Sequence, residues 1–287
     1  MEILRNLWRR KLRTILTISG IVMGIFALTT MGSMAEHFNF LLQGGVTYYG
    51  KTVQVGDANG GAFSGGFMSA STLAKVRRVE GVAAAFPSVG VVAKPGSANV
   101  VSFGIPDYIT NYSPASVQYS AFKLSLADGR WVTDASRYEV VLGSSFAAEF
   151  HKRVGDAIYL PVRPSDAPPG FVNHRFTVVG VLDRTLTAPD SSALVSTHDA
   201  QTLQGESLPV ALRGKVDTYS LISGIVAYGK PGVDLDALAG RISAEVPSVK
   251  AVKPSTLVET FKSGGPCSRL SPPRRRCWHC SSADSRW

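Results

Sequence analysis

The sequence predicts an α+β protein held to a membrane by one N-terminal helix, and three observations carry that prediction. Residues Thr14 to Ala35 form an apolar run with no formal charge. Two strand–helix–strand units, near residues 50–88 and 223–255, leave their helices through similar sequences. Between them, short alternating segments separated by turn residues read as a strand-rich insertion.

The run "TILTISGIVMGIFALTTMGSMA" comes first. At 1.5 Å per residue its roughly 22 residues cover about 33 Å, enough for a hydrocarbon core of about 30 Å. Arg5, Arg9, Arg10, Lys11 and Arg13 precede it and Glu36 follows, which places residues 1–13 in the cytoplasm and 36–265 outside. Among those cations, Ile3, Leu4, Leu7, Trp8 and Leu12 fall near helical spacing. The segment suits an interfacial helix, with Arg5, Trp8, Arg9, Arg10, Lys11 and Arg13 as anchors at the lipid headgroups. A cleavable signal peptide competes, with Ser33-Met34-Ala35 as its small-x-small site, but the run exceeds the 7–15 apolar residues of a signal core. Gly20 and Gly24 form G-x-x-x-G, a spacing that lets a second membrane helix approach closely.

The outer part begins with "EHFNFLLQGGVTYYG", read as a helix ending near Gly44-Gly45. "KTVQVGD" then alternates as a strand. "SASTLAKVRRV" is a helix with Ser69 or Ser71 as N-cap and Leu73 and Val76 on one face. The second unit repeats the order: strand "SGIVAYG", then "DLDALAGRISAEV" with Asp234 as cap and Leu235, Leu238, Ile242 and Val246 in one stripe. Both exits, "VEGVAAAFPS" and "VPSVKAVKPS", fit V-x-[GS]-V-x-A-x-x-P-S. Two βαβ units with matching exits predict a ferredoxin-like sandwich with internal pseudo-symmetry, its parts at about 50–126 and 213–260. The insertion, about 127–212, opens with "LADGRWV", read as a turn. It continues with a strand, a short helix bearing Phe146 and Phe150, a turn at Gly155-Asp156, further strands at "DAIYLPV" and "HRFTVVGVLD", and "ALVSTHDAQTLQ", extended and then helical.

Composition excludes some functions. The net charge is +9, but taking five cations from each end leaves 20 Lys/Arg against 19 Asp/Glu in the body. No basic face remains for nucleic acid. Cys267, Cys277 and Cys280 all lie in the last segment, so the body has no disulfide. The sequence holds neither H-E-x-x-H nor G-x-S-x-G, and no catalytic, cofactor or metal residue is assigned. Gly45 to Thr52 does spell the P-loop formula G-x-x-x-x-G-K-[ST]. A P-loop needs strand, loop and helix in that order; here a helix precedes and a strand follows, so an ATP-using enzyme is the weakest reading.

Several motifs also carry a resemblance. "LRNLWRRKLRTILTISGIVMGIFAL" resembles the first membrane helix of ABC transporter permeases of the MacB/FtsX type, where R-N-L-x-R-x-K-x-R-T leads into G-I-x-x-G. "GRWV", "YEVVLGSSFAAEF", "VGDAIYL" and "FTVVGVLD" resemble, in the same order, that family's MacB-like periplasmic core domain. The match covers roughly residues 1–265. The resemblance implies a ferredoxin-like "porter" interrupted by a β-rich insertion, in a non-ATPase permease subunit of the cell membrane. It implies as partners a cytoplasmic ABC ATPase, a second permease chain (homo- or heterodimer) and membrane lipid, and an outer domain that couples ATPase-driven motion to export or mechanotransmission. Family substrates range over lipoproteins, peptides, macrolides and cell-wall hydrolase regulators.

The last segment departs from the family, whose members continue into three more membrane helices. Residues 266–287, "PCSRLSPPRRRCWHCSSADSRW", hold every cysteine and no apolar run. They read as a disordered, out-of-frame tail; Cys277-Trp278-His279-Cys280 is only half a zinc site. The alternative to a permease is a single-pass, membrane-anchored binding or sensor domain.

Overall fold

The computed structural model describes residues 11–58, 66–95, 107–165, 167, 170–208, 212–256 and 259. The expected anchors Arg5, Trp8, Arg9 and Arg10 and the tail 266–287 lie outside the described residues; Lys11 and Arg13 fall in the first turn of the first helix.

Helix α1, Lys11–Tyr49, has 39 residues and is about 58 Å long at 1.5 Å per residue. Its segment Ile15–Ser33 has mean hydropathy 1.9 and is nowhere buried against the rest of the chain. By length and composition it is able to cross a membrane. Ile18, Ile21, Phe26, Leu28 and Met31 are all exposed, while the Thr29 and Thr30 hydroxyls donate to the carbonyls of Ile25 and Phe26 at 3.0 and 2.6 Å. The polar atoms are thus satisfied within the helix, as hydrocarbon requires. The expected helix end near Gly44-Gly45 is corrected: α1 runs through both glycines to Tyr49. Each glycine costs about 1 kcal/mol relative to alanine, too little to stop a helix already propagating.

The ferredoxin-like unit follows the predicted order: β1 (Val53–Asp57), α2 (Ser71–Arg78), β3 (Val82–Ser88), then β12 (Gly224–Gly229), α5 (Leu235–Glu245) and β13 (Val249–Val252). The sheet order is β13-β1-β12-β3 with every neighbouring pair antiparallel. Its two halves are pseudo-symmetric: β1 and β12 lie at the centre, β13 and β3 at the edges. The matching exits also match in hydrogen bonding, since Val82 N–H donates to Val79 C=O at 3.2 Å and Val249 N–H to Val246 C=O at 3.0 Å. Asp234 caps α5, accepting from Asp236 N–H at 3.0 Å. In α2 the N-cap is Ala70 rather than Ser69 or Ser71; Ser69 Oγ instead accepts from Ser71 N–H at 3.3 Å.

Among the described residues the second sheet has seven strands: β4 (Gly90–Val92), β5 (Tyr108–Asn111), β6 (Leu126–Gly129), β7 (Glu139–Leu142), β8 (Ala157–Leu160), β9 (His174–Leu182) and β10 (Ser192–Val195). The order is β4-β5-β10-β7-β9-β6, with β8 also on β9. The expected start of the insertion near residue 127 is too late, because β4 and β5 pair with each other and with β10. "LADG" is likewise strand β6 rather than a turn, paired with the end of β9. These short strands have long-range partners, so local alternation does not reveal them. Helix α3 (Ser144–Glu149) brings Phe146 and Phe150 within 4.9 Å of each other. Helix α4 (Thr197–Ser207) packs on β4 and β5, and a two-stranded ribbon joins β2 (Met68–Ser69) to β11 (Leu221–Ile222).

One hydrophobic core joins the two sheets. It takes Val53, Val55, Ile225 and Ala227 from the first, Ile109, Val140, Leu142 and Phe176 from the second, and Val76, Leu238, Ile242 and Leu203 from the helices. A smaller cluster lies on the opposite face of the second sheet. It comprises Val132, Val141, Val179, Leu182 and Leu194, with Tyr112, Leu124, Leu126 and Trp131 packed on it.

Candidate functional site

Strand alternation gives the four-stranded sheet two unlike faces. Val53, Val55, Ile225 and Ala227 face the helices and are fully buried, whereas Gln54, Val226, Tyr228 and Phe86 between them are only partly covered. Gln54 is the Cα partner of Val226, and Val226 of Phe86, so the open face presents them in one row. Opposite stand Tyr108, Thr110, Tyr112, Trp131 and Leu194 of the inserted region. The space between is a cleft of about 550 Å³, within the size range of small-molecule sites.

Aromatic rings build its walls. Tyr112 stacks on Trp131 with centroids 4.7 Å apart and planes 9° apart. The lining residues Phe86 and Tyr228 form a triangle with Tyr119, which is not itself in the lining, with centroids 5.9 to 6.0 Å apart. None of the described residues that line it is Asp, Glu, Lys, Arg or His. Burial pushes the Tyr112 phenol above its ordinary value. It does the same for Tyr228, where a hydrogen bond with Ser116 pulls the other way. The described lining therefore carries hydroxyls and amides on an apolar surface, without formal charge.

Its floor is the place where the chain leaves the first sheet and returns. Asn111 Oδ1 accepts from Val89 N–H at 2.9 Å, and Asn111 Nδ2 donates to Pro87 C=O at 3.2 Å. Ser223 Oγ accepts from Gly90 N–H at 3.2 Å and from Gln204 Nε2 at 2.6 Å, while Ser223 N–H donates to Ser88 C=O at 2.9 Å. Two side chains, Asn111 and Ser223, thus tie both crossing points together.

A third element closes one side, the 3-10 turn Ala188–Ser191. Asp190 is buried, and its carboxylate accepts from the N–H groups of Thr185 and Leu186 at 2.9 and 2.7 Å and from Thr185 Oγ1 at 2.7 Å. These bonds hold Leu186 in the left-handed region, φ 56°, where a non-glycine residue needs support. A Cβ at Gly143 would fall on the carbonyl oxygens of Pro189 and Asp190, so the turn sits directly against the start of α3. Helix α1 passes within 8 Å of this turn, Cα to Cα.

The residues singled out from sequence lie elsewhere. Gly20 and Gly24 are one helical turn apart in the apolar span, with open space where a Cβ would stand. The P-loop spelling, Gly45 to Thr52, covers the end of α1 and the turn that precedes β1, helix before strand, so it has no helix N-terminus to hold a phosphate. Among the described residues no group of three or more His, Cys, Asp or Glu is placed to hold a metal ion; Cys277 to Cys280 lie outside them. The cleft escapes sequence reasoning because its rings come from positions 86 to 228, each looking locally like a half-exposed strand or loop residue. The one available signal was the partial alternation of Gln54, Phe86, Val226 and Tyr228.

The model of the MacB-like periplasmic core domain matches residues 14–260. The chain belongs to this family. A comparison with curated proteins returned no match. Among solved structures, the extracellular domain of the noncanonic ABC-type transporter YknZ from Gram-positive bacteria is 12% identical, with TM-score 0.44, over 70% of this chain and 100% of that one. The periplasmic region of MacB from Actinobacillus actinomycetemcomitans is 14% identical, TM-score 0.44, over 75% and 94%. A domain of a putative permease protein from Porphyromonas gingivalis is 12% identical, TM-score 0.35, over 71% and 89%. The matched stretch takes in both sheets and the apolar span of α1.

Proposed function

We propose that this MacB-like chain acts as the non-ATPase permease subunit of an ABC transporter. Its N-terminus faces the cytoplasm, and its outer domain follows motions driven by an ATPase partner. The observation that carries this reading is the unbroken α1. The helix runs from the apolar span to Tyr49, leaving three residues before the central strand β1, and passes within 8 Å, Cα to Cα, of the Ala188–Ser191 turn on the way. A continuous helix transmits displacement far better than a flexible linker. Pairing with a second permease chain through the Gly20/Gly24 face, and lipid anchoring by Arg5, Trp8, Arg9, Arg10, Lys11 and Arg13, belong to the same proposal. So does the out-of-frame origin of residues 266–287, which translation of the coding DNA in the other two frames checks: long apolar segments support it, and their absence ends it.

Topology is tested with Tyr159→Cys, at an exposed site on β8, in a chain whose three tail cysteines are replaced by serine. A membrane-impermeant maleimide should label intact spheroplasts. Labelling only after lysis contradicts the reading. The uncharged cleft favours a second reading, a single-pass anchored binding domain, which needs no ATPase; co-purification of an ATPase subunit with the chain decides between them.

A further inference from the structure

We propose that the cleft between the two sheets binds an uncharged, largely apolar small molecule, and that its occupancy is relayed to α1 through the Ala188–Ser191 turn. The binding half stands on the cleft alone; the relay rests on the permease reading above.

Charge decides the ligand class. Among the described residues, the lining contains aromatic and aliphatic groups with Ser, Thr, Tyr, Asn and Gln, and no carboxylate, ammonium, guanidinium or imidazole. A charged ligand would enter this space without a counter-charge, leaving its solvation behind. A neutral ligand loses little on desolvation and gains the stacking surfaces of Phe86, Tyr112, Trp131 and Tyr228. The same lining argues against an acidic or basic peptide segment.

Geometry decides the relay. Ala188 and Pro189 line the cleft, Asp190 stiffens the turn that carries them, and the backbone of α1 passes within 8 Å of that turn, Cα to Cα. Gly143 leaves the turn no slack on its other side. A molecule pressing on Pro189 therefore acts on a braced element beside the membrane helix.

Two probes sharing one skeleton test the binding: N-phenyl-1-naphthylamine, which is neutral, and its sulfonated relative 8-anilino-1-naphthalenesulfonate, which is anionic. The full chain in lipid nanodiscs is titrated with each, reading energy transfer from Trp131 as the difference between the wild-type chain and Trp131→Phe. The expected result is saturable transfer to the neutral probe, with the sulfonated probe at least tenfold weaker. Val226→Glu, which sets a carboxylate on the open face, should weaken the neutral probe at least tenfold, and Phe86→Ala severalfold. Circular dichroism checks that each variant folds, and Phe86→Ala decides the matter if Val226→Glu does not. Equal binding of both probes, non-saturable transfer, or binding unchanged in the folded variants overturns the proposal. So does loss of binding as the chain self-associates, which would make a second copy the occupant.

The relay is read from a nitroxide at Ser33→Cys and another at Tyr159→Cys, with the tail cysteines replaced by serine. Saturating neutral probe should shift their distance distribution, and an unshifted distribution overturns the relay. Failure of the maleimide topology test with probe binding intact would remove the permease reading and leave the binding site. Failure of probe binding with the topology intact would do the reverse.

Discussion

The two faces of the four-stranded sheet are made by the same strands and have opposite fates. On one face Val53, Val55, Ile225 and Ala227 lie under α2 and α5 and are lost to solvent. On the other, Gln54, Phe86, Val226 and Tyr228 look across a cleft at a second sheet that stands off from them. Alternation alone sets the difference, because neighbouring residues on a strand point to opposite sides. The closed face holds the fold together. The open face is free to be shaped by ligand chemistry, since little stability depends on it.

Adjacent positions on β12 break or sharpen that comparison most strongly. Ile225→Ala, on the closed face, should cost about 2–5 kcal/mol as a buried cavity, whereas Val226→Ala beside it should cost under about 1 kcal/mol. Thermal and urea unfolding of the full chain in detergent measure both, and comparable losses would dissolve the distinction between the faces.

Gly143→Ala should cost about 1–3 kcal/mol by overpacking, since its new methyl meets the Pro189 and Asp190 carbonyls. It should also weaken the neutral probe by displacing Pro189 from the cleft wall. Unchanged stability and binding would show that the turn is not braced there.

The smallest effect belongs to the surface. The Glu139 carboxyl is held below its ordinary range by hydrogen bonds from Arg130, at 2.5 Å, and from Ser136, at 2.7 Å. A depressed folded value means stability that is present above the unfolded value of about 4.3 and is lost as pH falls through the folded one. Glu139→Gln should therefore lower stability at pH 7 by under about 1 kcal/mol, the pair being solvent-screened, and flatten the acid limb below about pH 4. An acid limb as steep as in the wild-type chain would remove Glu139 from the account.

Much of the closed face was legible in sequence. Leu238, Ile242 and Val246 repeat at helical spacing, Val53 and Val55 alternate, and the exits after Val79 and Val246 share a pattern, so local periodicity names both the elements and their buried sides. The second sheet was legible only in part. "VVLG" and "HRFTVVGVLD" read as strands, but β7 lies parallel to β9 and β10 parallel to β5, pairings set by tertiary contacts between distant segments. The cleft left only the partial alternation of Gln54, Phe86, Val226 and Tyr228 as a signal: Tyr112 and Trp131 lie 19 positions apart and face Phe86 and Tyr228 only when both sheets are in place. Gly44-Gly45 misled for the opposite reason, a local breaker signal overridden by the helix around it.

The central claim is that the outer domain moves as one body with the membrane helix. The most direct measurement is the distance distribution between nitroxides at Ser33→Cys and Tyr159→Cys in nanodiscs, without added ligand. A single narrow distribution that broadens when Gly45→Pro interrupts α1 is the predicted result. A broad distribution with α1 intact would contradict the claim.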